Sequence, residues 1–84
     1  MTLVIDDVRR IVATTLQLGA RGGSMSSATP LLGAIPELDS MAVVSLITAL
    51  EEQFEISVED DEIGAETFET LGSLAAFVEQ KMAN

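Results

Sequence analysis

Residues 36–54 read PELDSMAVVSLITALEEQF, and the periodicity of that stretch decides the fold. At 100° per residue, Val43, Leu46, Ile47, Leu50 and Phe54 fall on one face, which predicts an amphipathic helix from about Ser40 to Phe54. The opposite face carries Met41, Val44, Ser45, Thr48, Glu51, Glu52 and Glu55. Its acidic end needs no reason beyond solvation. Met41 and Val44, beside Ser40, are different. Two apolar residues on a face ringed by acids form either a docking patch or a surface that the preceding loop covers. Asp39 and Ser40 stand at the helix start, where short polar side chains satisfy free N–H groups, so by residue type the pair reads first as a cap. With Asp39 as cap, Ser40 takes the first helical position and its hydroxyl projects outward. A phosphate ester there would lie at the positive end of the helix; the geometry permits such a modification without demanding it.

Two further helices flank this one. TLVIDDVRRIVATTLQL predicts a helix from about Leu3 to Leu18, with Thr2 as cap, Asp6 and Asp7 near its positive end, and Ile5, Val8, Val12 and Leu16 on one face. Gly19 is the expected stop. Residues 19–39 form a long connection whose Gly- and Ser-rich first half reads as mobile. Its second half, with Leu31, Leu32, Ile35 and Leu38, is apolar enough to pack over a core. After Phe54 a loop is expected to hold a short helical turn near Glu66 to Glu69. Thr70 then caps a last helix from Leu71 to about Met82, with Leu71, Leu74, Val78 and Met82 inward. Nothing alternates with period two for long enough to suggest a sheet. The expected fold is all-α, a small four-helix bundle of three main helices and one short helix, with residues 1–84 as a single domain.

Composition narrows the function. The chain has 84 residues and no Cys, His, Trp or Tyr, so it lacks the commonest general base, the thiolate nucleophile and most aromatic platforms for single-stranded nucleic acid. A net charge of −10 argues against nucleic acid and anionic membranes as partners. Residues 37–80 hold twelve acids and no base, while Arg9, Arg10 and Arg21 outnumber Asp6 and Asp7 in residues 1–36. The acidic part fits a basic patch on a partner protein. No leader and no membrane span are read, which makes the cytoplasm the default location. The run VEDDEIGAE (58–66) invites a calcium reading but departs from the EF-hand pattern, because Ile63 stands where an oxygen ligand belongs; a solvated acidic loop is the expectation.

LDSMAVVSLITALEEQFEI (38–56) closely resembles the acyl carrier protein family, including peptidyl carrier domains. Asp39, Ser40, Met41, Leu46, Leu50, Glu51, Glu52, Phe54 and Ile56 fit its pattern, and ETFETLGSLAAFV (66–78) is similar to its last stretch, with Thr70, Leu71 and Leu74 opening the final helix. The resemblance implies a 4'-phosphopantetheine arm, moved from coenzyme A onto Ser40 by a phosphopantetheinyl transferase, with Asp39 as the flanking motif residue. It implies acyl or aminoacyl cargo held as thioesters in fatty acid or secondary metabolite biosynthesis, and a monomer that is not an enzyme. Partners would be acyl-activating ligases, synthases or transferases with basic docking patches, meeting Met41, Val44, Thr48, Glu51, Glu52 and Glu55. Val43, Ile47, Ile63 and Phe68 are either neighbours of a folded-in arm or ordinary core. Met41, Ala42, Val44 and Ser45 replace the Leu and interleaved acids usual in housekeeping fatty-acid carriers. That departure implies a specialised carrier with a dedicated partner, and exosortase-linked systems include carriers with a similar PELDSM run. A stand-alone peptidyl carrier and an unmodified acidic helical adaptor are the alternatives.

Overall fold

The computed structural model describes residues 4–31, 39–64 and 66–83. Its helices are α1 (Val4–Thr15), the single turn α2 (Ala20–Gly23), α3 (Ser40–Phe54) and α4 (Leu71–Ala83), with a 3-10 turn at Asp60–Glu62. The fold is the expected all-α bundle. No strand occurs among the described residues, and Pro30 and Thr70 form an isolated antiparallel bridge. The expected cap Thr2 and the residues Leu32, Ile35 and Leu38, expected to pack over the core, lie outside the described residues.

The apolar stripes account for the packing. Val8 and Val12 from α1, Leu46 and Leu50 from α3, and Leu71, Leu74, Ala75 and Val78 from α4 are buried in one cluster with Leu31 and Phe68. Val43, Ile47, Phe54 and Ile63 are half-buried against it. α1 is the common partner, packing against α2, α3 and α4, while α3 and α4 meet each other much less. Truncating a fully buried member such as Leu46 to Ala would cost about 2–5 kcal/mol, from lost transfer energy plus a cavity.

Four expectations are corrected. α1 ends at Thr15, before Gly19. Gln17 takes the left-handed conformation (φ 56°), so the Leu18 N–H reaches the Ala13 carbonyl at 2.9 Å and the Gln17 N–H reaches that of Thr14 at 3.3 Å. Those two bonds close a Schellman motif that needs no glycine. The short helical turns fall at Ala20–Gly23 and Asp60–Glu62; residues 66–69 form turns instead, closed by Thr67 N–H to the Gly64 carbonyl and Glu69 N–H to that of Glu66. Met82 is 49% exposed, because the buried stripe of α4 ends at Val78.

The fourth correction concerns the Gly- and Ser-rich half of the long connection, which is anchored. Gly22 lies against α1 so closely that a Cβ on it would clash with the Ala13 Cβ, and Met25 is buried. Residues 27–31 lie along the start of α4. Leu71 N–H donates to the Thr29 carbonyl (2.9 Å), Gly72 N–H to that of Ser27 (2.8 Å), and Leu31 N–H to that of Glu69 (3.0 Å). Thr70 and Ser73 exchange backbone-to-hydroxyl bonds of 3.0 Å each, a reciprocal cap. Two free donors of the last helix, Leu71 and Gly72, are thus satisfied by residues 27–29, and Ser73 by its own cap.

Candidate functional site

α3 starts where the sequence predicts, and Asp39 is its cap. The aspartate backbone is extended (φ −105°, ψ −173°) and its carboxylate accepts from the Ala42 N–H at 2.8 Å. Its carbonyl accepts from the Val43 N–H at 2.9 Å, the first bond of the helix. Such a cap contributes about 1 kcal/mol. Ser40 follows as the first helical residue and is exposed. No residue of the first turn of α3 is acidic, and among the described residues Asp39 is the acid placed at the free N–H groups of the helix start. The site therefore fits a phosphodiester on the serine: an accessible hydroxyl, a fixed backbone and an anion-favouring helix end.

Met41 and Val44 are 77% and 62% exposed, and no described segment covers them. Thr48, Glu52 and Glu55 continue the same exposed stripe. Glu51 sits differently. It is half-buried, and its Oε2 accepts from the Val58 N–H at 2.8 Å, holding the loop after α3 against the helix. Glu55 takes the left-handed conformation (φ 54°) that ends the helix, with its N–H and that of Ile56 both directed to the Glu51 carbonyl. The structure thus gathers Ser40, Met41, Val44, Thr48 and Glu52 on one side of α3 and gives Glu51 and Glu55 structural tasks as well. Of the residues expected near a folded-in arm, Phe68 is core, while Val43, Ile47 and Ile63 are half-buried at its margin.

In the acidic loop, Lys81 Nζ bonds both oxygens of Glu62, at 2.7 and 3.0 Å, and Glu62 also accepts from the Glu59 N–H at 2.8 Å. The Glu59 amide first, and then Lys81, hold the Glu62 carboxyl below its ordinary range. Among the described residues no group of three or more potential ligands is placed to hold a metal ion. No described helix is long and apolar enough to cross a membrane.

Sequence reasoning missed a groove of about 390 Å³ between α1 and α3, walled by Arg10, Thr14 and Thr15 on one side and Glu52 and Gln53 on the other. Its only sequence signal is the exposed Arg10 on a helix whose other face is core.

Residues 6–78 match the family model described as a phosphopantetheine attachment site. The holo acyl carrier protein of Nitrosomonas europaea, solved in solution by NMR, is 57% identical; the match covers 100% of each chain with a TM-score of 0.89. Fold and matches together define a small helical carrier, a class that presents a covalently held group and leaves the chemistry to other proteins. The chain belongs to the phosphopantetheine-binding acyl carrier protein family, and its cofactor is covalent 4'-phosphopantetheine.

Proposed function

We propose that Ser40 is the attachment point and that the protein carries acyl groups as thioesters, as a specialised carrier with a dedicated set of enzymes. The observation that carries this reading is the exposed Ser40 at the first position of α3, with Asp39 fixed beside it as the cap. When bound, the arm supplies a terminal thiol, which this cysteine-free chain does not have. The chain's own residues then have three tasks. Asp39 fixes the backbone around the serine. The first turn of α3 favours the phosphodiester charge. The bundle core holds α3 rigid while a partner works on the arm.

Acyl cargo is preferred to aminoacyl because of the likeness to a holo acyl carrier protein. The specialised role is supported by the exposed Met41 and Val44, which make the surface next to Ser40 apolar where acids are usual. Phosphopantetheinyl transferase and the acyl-transferring enzymes would dock on Met41, Val44, Thr48 and Glu52, with Glu51 and Glu55 adding charge at the far end. Opposite charge speeds such encounters, and a small apolar contact keeps them short-lived. The shared core of α1, α3 and α4 supports one carrier domain.

Intact mass before and after incubation with coenzyme A and a broad-specificity phosphopantetheinyl transferase tests the assignment. The wild type should carry, or gain, one phosphopantetheine, and Ser40→Ala should carry none. An unmodified wild type, with the transferase shown active on another carrier, would favour the adaptor role; modification of Ser40→Ala would move the site elsewhere.

A further inference from the structure

The groove between α1 and α3 begins where the exposed stripe of α3 ends, and Glu52 belongs to both. Its walls differ in sign. Glu52 lines it from α3, and Thr14, Thr15 and Arg10 line it from α1; the Arg10 side chain is 64% exposed while paired with Asp7 at 2.9 Å. No base occurs in residues 37–80, so α3 itself offers a partner only neutral and negative groups. Arg10 adds a cation at the edge of that surface. From Ser40 to Gln53 the helix spans roughly 20 Å. An interface of standard size, about 800 Å² per partner and hence ~30 Å across, covers the serine and the groove together.

We propose that this groove is the second contact point of the phosphopantetheinyl transferase, and that Arg10 sets the register of docking. The occupant is a transferase surface of mixed sign, with basic residues over Glu52 and a carboxylate over Arg10. This rests on the assignment of Ser40 as the attachment point. A uniformly basic surface would be repelled at Arg10 when seated over the acids of α3, so the cation selects among basic partners and fixes which way round they sit.

The test is steady-state transfer from coenzyme A by a broad-specificity transferase, followed by intact mass, with circular dichroism to check each fold. Arg10→Glu reverses the charge. Thr14→Phe fills the exposed part of the groove and leaves every charge in place, so it keeps the test decisive if Arg10→Glu fails to fold. Both should raise KM for the carrier about five-fold or more while kcat stays within about two-fold of wild type, because the contact is remote from the serine. KM within about two-fold of wild type in a folded variant overturns the groove contact, and a fall in KM for Arg10→Glu overturns the mixed-sign partner. Either result leaves the carrier assignment standing, since the wild type is still modified. A wild type that gains no mass removes the carrier assignment, and this proposal with it.

Discussion

Ser40 and its two neighbours divide their work by exposure. Asp39 directs its carboxylate to the Ala42 amide, so the acid next to the serine is a structural acid. Met41, on the same side of α3 as the serine, is largely exposed. An apolar side chain that exposed contributes little to the fold, and removing it should cost little stability. Charging the pair Met41→Glu and Val44→Glu should therefore leave the melting temperature nearly unchanged while lowering loading by partner enzymes roughly ten-fold, the effect of burying charge at the centre of an interface. Loading and unloading of the double mutant at wild-type rates would remove these two residues from the docking face.

At the scale of elements, the connection between α1 and α3 matters most. Residues 27–31 act as a strap across the start of α4, and Gly72 is the close point: a Cβ there would lie 2.8 Å from the Ser27 carbonyl oxygen. The neighbour is backbone, so relief requires moving the strap. Gly72→Ala adds helix propensity, worth at most ~1 kcal/mol. Against it stands crowding of about 1–3 kcal/mol and the lost bond to Ser27. The net effect should be a lower urea midpoint, with faster hydrogen exchange at the Leu71 and Gly72 amides. Equal or greater stability of the alanine variant would mean that the strap gives way without cost.

For the molecule as a whole, charge sets the conditions of stability. The chain carries fourteen acids against four bases. Lys81 is the one base in the second half of the sequence, and it joins α4 to the acidic turn through Glu62. Because the Glu62 carboxyl is held below its ordinary range, its stabilisation is complete above that range and is lost as pH falls through its folded-state value. Glu62→Gln should accordingly be less stable than wild type at neutral pH, with the gap closing in acid. Urea midpoints at both pH values check this, and a gap that persists unchanged in acid would show that the clasp does not act through ionisation.

The three main helices, the Asp39 cap and the Thr70 cap were legible in the sequence, because each follows from periodicity or from local bonding over three or four residues, whereas the sequence left open whether the preceding loop covers Met41 and Val44. Ser40 stood out as an attachment candidate through the resemblance of residues 38–56 to acyl carrier proteins, since by residue type alone the pair with Asp39 reads as a cap. The end of α1 was not legible. Gln17 adopts a left-handed φ that its residue type does not favour, held by the two bonds of the Schellman motif and by the burial of Leu18 that follows it. The strap of residues 27–31, the half-buried role of Glu51, the clasp of Lys81 on Glu62 and the groove beside Arg10 all join residues distant along the chain or on different helices. Sequence by itself determined the helices and the serine they present. Only the tertiary structure decided which polar groups remain free for a partner, because that depends on which segments come to lie against one another once the apolar faces of α1, α3 and α4 have closed.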